Sequence, residues 1–113
     1  MKPARDAISL DLARMVDPSG LADAWERYYR NDRNAFTRRV YTAQGLTTFD
    51  ELRRRYGSDA DFRESVDRYA QEFERVLAEA ARDDRDGSRT RSYLLSEQGK
   101  VYTMLAHAAG RLD

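Results

Sequence analysis

The chain has 113 residues, of which 41% are hydrophobic and 35% charged, a composition for one folded domain with a heavily solvated exterior rather than a disordered segment. Twenty basic groups balance twenty acidic ones, so no net field favours nucleic acid or a membrane surface. Cysteine is absent, which removes disulfides and thiolate metal sites.

A chain of this length buries roughly two thirds of its unfolded surface, enough for one modest core. Charge is slightly uneven along it: residues 1–56 carry 11 basic and 8 acidic groups, residues 57–113 carry 9 and 12. Eighteen of the basic residues are Arg, which codon usage in a GC-rich bacterial genome explains most simply. The start, Met1-Lys2-Pro3-Ala4-Arg5-Asp6, lacks the apolar run of a signal peptide. No apolar stretch approaches the ~20 residues that cross a bilayer. The expectation is a cytoplasmic chain without a membrane span.

Gly and Pro are sparse and no stretch alternates with period two, so the expected fold is all-α. Residues 1–5 read as a frayed start. A first helix is expected over 6–15, with Ile8, Leu12 and Met15 on one face and Leu10 off it. Asp17-Pro18 then reads as N-cap and first helical residue. The second helix, 18–31, carries Leu21, Ala24, Trp25, Tyr28 and Tyr29 at helical spacing, and Asn31-Asp32-Arg33-Asn34 reads as a break. A third helical segment is expected over 33–43 with Phe36, Val40 and Tyr41 inward, ended by Gly45.

Thr48-Phe49-Asp50-Glu51 has the form of a capping box, predicting a short helix over 49–56 with Gly57 as its stop. Ser58 then reads as the cap of a helix over 59–82. Its residues Phe62, Val66, Tyr69, Phe73, Val76 and Ala80 are spaced 4, 3, 4, 3 and 4, a heptad coiled-coil seam that Ala70 and Leu77 widen. Asp83-Asp84-Arg85-Asp86-Gly87 is a polar turn. A last helix is expected over 88–109, with Gly99 inside it as either a kink or a point of close backbone approach, and Gly110 as its stop. The architecture expected is one domain over 1–113. In it a long antiparallel helix pair, 59–110, carries shorter N-terminal helices.

No constellation carries chemistry. His107 is the only histidine and reads as a helix residue near a C-terminus. Asp83, Asp84 and Asp86 lack the order and the distal Glu of a calcium loop. The six glycines are isolated, so no phosphate loop exists. Neither catalytic residue, metal site nor cofactor is expected. Arg38, Arg39, Arg53, Arg54 and Arg55 form basic clusters near aromatics, the pattern a nucleic-acid groove uses, yet Asp50 and Glu51 adjoin them and the rings fall at core spacing. Tyr28 and Tyr29 are neighbours, so both cannot face one core point, and one of them is a candidate exposed anchor. Candidate partner-binding residues are therefore Tyr28, Tyr29, Arg38, Arg39, Arg53 and Arg54.

Four stretches carry a likeness: Arg33-Asn34-Ala35-Phe36-Thr37-Arg38-Arg39, Thr48-Phe49-Asp50-Glu51-Leu52-Arg53, Phe62-Arg63-Glu64-Ser65-Val66-Asp67-Arg68-Tyr69, and Tyr93 to Leu112 with Gly99-Lys100-Val101-Tyr102-Thr103-Met104-Leu105-Ala106-His107-Ala108. Through these, Trp25 to Leu112 resembles the C-terminal end of the very long coiled-coil scaffold proteins of Rhizobiales and related alphaproteobacteria. That group is labelled kinesin-like or apolipoprotein-like and includes growth pole ring protein-like scaffolds. The resemblance implies a globular cap on a scaffold of polar growth or cell division, at the cell pole. The long coiled-coil body has no counterpart in these residues, and no functional residue carries over. The function expected is a non-catalytic helical module that binds a protein partner or a second copy of itself; the alternative is nucleic-acid binding through the five arginines.

Overall fold

A computed structural model describes residues 12–32, 34–84 and 87–112. The frayed start at 1–5, the first half of the helix expected over 6–15 with Ile8 and Leu10, and residues 33, 85, 86 and 113 lie outside the described residues. The fold is all-α. Beyond a helical stretch at residues 12–14, the described residues form α1 Pro18–Tyr29, a 3-10 turn at Arg38–Val40, α2 Ala43–Ser58, α3 Ala60–Arg82, α4 Ser88–Leu94 and α5 Glu97–Ala108.

Helix α1 starts where the sequence places it. The Asp17 carboxylate accepts from the Gly20 amide at 3.1 Å and Pro18 occupies the first helical position. Its end is equally local: Asn31 takes φ 67°, the left-handed region that asparagine tolerates best after glycine. Residues 12–14 are helical, and the chain then turns into an extended passage. That passage pairs with the segment before α2. Val16 and Tyr41 form an antiparallel bridge, with Asp17 N–H donating to Val40 O at 2.8 Å and Thr42 N–H to Met15 O at 2.9 Å.

This pairing overturns the helix expected over 33–43. Between Asn34 and Thr42 only the three-residue turn at Arg38–Val40 is helical, because Val40 O and Thr42 N–H pair with the backbone of Asp17 and Met15 instead of continuing a helix. Val40 and Tyr41 are still buried, as expected, and Phe36 is half-buried. The same contact moves the start of α2. Thr42, not Thr48, is its N-cap and accepts from the Gly45 amide at 3.1 Å. Gly45 does not end a helix; it lies in the first turn of α2, where a Cβ would come within 2.3 Å of Met15 O. The capping-box residues Thr48 and Glu51 sit inside α2, and Glu51 pairs with Arg54.

Gly57 lies within the last turn of α2, which runs two residues further than expected. One residue, Asp59, joins α2 to α3. Its N–H donates to Arg55 O at 2.8 Å, closing α2, and its carboxylate accepts from the amides of Asp61 and Phe62 at 3.1 Å each, opening α3. Ser58, expected as this cap, instead donates its hydroxyl to Arg54 O. Arg63 reaches back to the carbonyls of Tyr56 and Gly57, satisfying acceptors that the end of α2 leaves open.

The heptad seam of α3 is closed within the chain. Val66, Ala70, Phe73 and Ala80 are buried along its line, with Leu77 half-buried, while Tyr69 and Val76 fall to its margins. The second arm of the hairpin is divided. Residues 88–109 do not form one helix: Leu95 and Ser96 separate α4 from α5, and the Ser96 hydroxyl caps α5 by accepting from Gly99 N–H at 3.1 Å. Gly99 makes the corner possible, since a Cβ there would lie 2.2 Å from Leu94 O and 2.3 Å from Tyr93 O. At the far end Gly110, at φ 78°, completes a Schellman stop: its N–H donates to His107 O, and Arg111 N–H donates to Ala106 O.

Two ring groups fill the core. Trp25 meets Phe36 edge-on at 4.7 Å and lies against Tyr102, which stacks on Phe73 at 4.7 Å. The indole N–H donates to Thr103 Oγ1 at 3.2 Å, and the threonine hydroxyl donates to Gly99 O, so the buried polar atoms are satisfied. The second group joins Tyr41, Phe49 and His107, with the Tyr41 hydroxyl and His107 Nδ1 hydrogen-bonded at 2.7 Å.

Candidate functional site

The adjacent tyrosines of α1 separate as their spacing requires. Tyr28 is half-buried among the Trp25 and Phe36 rings, 5.3 and 5.6 Å away, and belongs to the core margin. Tyr29 turns outward and is 60% exposed, the most exposed large hydrophobic side chain among the described residues. Its ring still tilts over Trp25 at 6.1 Å. Burial of one side and the neighbouring Tyr28 push its hydroxyl above the usual phenol range, and that hydroxyl can both donate and accept.

Tyr29 stands on the wall of a cleft of about 590 Å³ between α1 and α4. On the α1 side, Ala22, Trp25, Glu26 and Tyr29 recur at three- and four-residue spacing, so one helix face supplies that wall. Opposite them lie Ala81 at the end of α3 and Thr90, Arg91, Leu94 and Leu95 of α4 and the turn after it. Leu94 and Trp25 are buried beneath the opening, while Tyr29 and the charged residues stand at its edge.

The rim charges are not equivalent. Glu26 pairs with Arg30 at 3.1 Å one turn along α1. The Asp84 carboxylate accepts from Thr90 N–H at 2.8 Å and Arg89 N–H at 3.3 Å, and these bonds, the Thr90 one above all, hold it below the usual carboxylate range. Asp84 thus closes the turn at the head of α4. Asp83 is the C-cap of α3, Asp86 lies outside the described residues, and no group of three metal-ligating side chains occurs among the described residues.

The arginine clusters lie elsewhere. Arg38 makes a two-pronged pair with Asp50 at 3.1 and 3.4 Å, Arg54 pairs with Glu51, and Arg55 lies 4.3 Å over the Phe62 ring with Asp59 at 3.5 Å. Arg39 and Arg53 are exposed and have no ion-pair partner among the described residues. None of the five lines the cleft. The rings near them are largely withdrawn: Tyr41 and Phe49 are buried, Phe36 and Tyr56 half-buried. His107, set among the Phe36, Tyr41 and Phe49 rings, is half-buried and does not line the cleft.

Of the candidate binding residues, the structure brings only Tyr29 to the cleft. Ala81, Thr90, Arg91 and Leu94 were not readable as its other wall, because they come to the cleft from segments far from α1 in the chain. No family model matches the chain, and neither a curated protein nor a solved structure is significantly similar to it.

Proposed function

We propose that this chain is a non-catalytic helical protein-interaction module that seats a partner in the cleft between α1 and α4. The observation that carries the reading is Tyr29, an aromatic side chain 60% exposed on the wall of an apolar-floored cleft. Tyrosine at such a position is the residue type that dominates interface energetics, because it offers a large rigid contact area and one hydrogen-bonding tip. The same geometry favours a protein partner over nucleic acid. Three of the five clustered arginines already face carboxylates, and the nearby rings have few free faces to stack on.

Partner capture by the native chain and by Tyr29→Ala tests it, with each captured protein then purified and its affinity measured. Tyr29→Ala is expected to weaken binding by about thirtyfold, the loss typical of an interface hot spot, while keeping its helical circular dichroism. If the partner is a second copy, sedimentation will show an oligomer that Tyr29→Ala dissociates. A partner that binds Tyr29→Ala unchanged, or a native chain that stays monomeric and captures nothing, removes the reading.

The setting we propose is a cytoplasmic one, as the terminal domain of a polar-growth or cell-division scaffold. Its support is the resemblance of Trp25 to Leu112 to growth pole ring protein-like scaffolds. No helix among the described residues is long and apolar enough to cross a membrane. A fluorescent fusion expressed in a rod that elongates from its pole should gather there; uniform fluorescence would remove the polar part of the proposal.

A further inference from the structure

We infer that the cleft between α1 and α4 takes a peptide segment in which an apolar or aromatic side chain stands next to a carboxylate. The inference rests on the interaction-module reading and names the chemistry of the partner. The apolar half follows from the floor. Trp25 and Leu94 are buried beneath the opening, and the Tyr29 ring leans over Trp25 with an interplanar angle of 32°, leaving a flat face toward solvent. A volume of about 590 Å³ suits the anchoring side chains of a peptide and is too small for a whole helix.

The acidic half follows from which rim charges are already matched. Glu26 is held by Arg30 at 3.1 Å. Asp84 is held by two backbone amides at the head of α4. Both negative groups on the rim among the described residues are therefore compensated inside the chain. Arg91 is exposed, lines the cleft, and has no ion pair or hydrogen bond to its guanidinium among the described residues. An incoming carboxylate meets an unmatched guanidinium with five donors, whereas an incoming ammonium meets carboxylates that it must share and an arginine that repels it. The discrimination has one sign.

Trp25 is the only tryptophan and forms part of the cleft, so its emission reports occupancy directly. The probes are two end-capped pentapeptides with leucine and phenylalanine at the apolar positions, and aspartate in one or lysine in the other at both polar positions. The aspartate peptide is expected to shift Trp25 emission saturably and to bind about tenfold more tightly than the lysine peptide at low salt, a ratio that shrinks as salt rises. Arg91→Glu, an exposed substitution whose fold circular dichroism will check, should invert that preference. Equal affinity for the two peptides, tighter lysine-peptide binding, no response to either peptide, or a preference untouched by Arg91→Glu would each overturn the acidic partner. Tyr29→Ala binding both peptides as tightly as the native chain does would instead sink the cleft reading beneath it.

Discussion

Helices α3 and α5 are neighbours of opposite character. Of the 23 residues of α3 only four are buried, Val66, Ala70, Phe73 and Ala80. Of the 12 residues of α5 eight are buried, including a run without interruption from Val101 to Ala106. α3 shows a sharp apolar stripe because solvent covers most of its circumference. α5 shows almost none, because α2, α3 and α4 pack on it and Trp25 of α1 bonds to its Thr103. Periodicity therefore marks the outer helix most strongly, while the helix at the centre of the molecule hides its importance in an even spread of apolar residues.

The contrast can be broken at a single side chain. Met104 in α5 is fully buried and Val76 in α3 is 40% exposed. Met104→Ala is expected to cost about 3 kcal/mol in urea unfolding, and Val76→Ala less than about 0.5 kcal/mol. Similar losses at the two sites would mean that α5 is not the central helix.

Gly99 tests the corner that turns α5 inward. Gly99→Ala pushes a methyl group onto Leu94 O and Tyr93 O and should cost about 2 kcal/mol, although alanine is the better helix former. A stabilised Gly99→Ala chain would show that α4 and α5 run as one helix and that the division is absent. Thr103→Val keeps the shape of the α5 core but leaves the buried Trp25 N–H without its acceptor. The expected cost is about 1–2 kcal/mol, with a shift in Trp25 emission; an unchanged melt would mean that water or another acceptor replaces the hydroxyl.

The smallest effect belongs to the charged edge where α3 meets the end of α5. Glu74 accepts from Arg111 at 2.6 Å and from the Tyr102 hydroxyl at 2.8 Å, and these bonds, Arg111 first, hold its carboxyl below the ordinary 4.5. A carboxylate with a lowered folded-state value stabilises the fold above the unfolded-state value and loses that contribution as pH falls through the folded one. Native and Glu74→Gln chains should therefore differ by less than about 1 kcal/mol at neutral pH, because the pair is partly solvated, and the difference should close below pH 4.5. A gap that does not narrow as the solution is acidified through and below pH 4.5 would locate the effect in packing rather than charge.

Part of the candidate site was legible in the residues. Two adjacent tyrosines on one helix cannot both face inward, and Tyr29 is the one left outside. Its opposite wall was not legible. Ser96-Glu97-Gln98-Gly99 reads as an interruption of a helix, yet only the contact of Gly99 with the Tyr93 and Leu94 carbonyls decides that the chain turns there. The segment 33–43 failed for the related reason that its apolar spacing suits a helix, while Met15 and Asp17 offer its backbone hydrogen-bond partners across the bridge.

By itself the sequence determined the helical class, the Asp17-Pro18 start of α1, the extent of α3 and the stop at Gly110. Each is encoded within a few consecutive residues by caps, dipole and periodicity, and needs no distant partner. Only the tertiary structure decided that α2 begins at Ala43 and that Tyr29 faces Arg91 across a cleft. Those outcomes depend on backbone groups and side chains far apart in the chain, where burial and hydrogen-bond satisfaction override local preference.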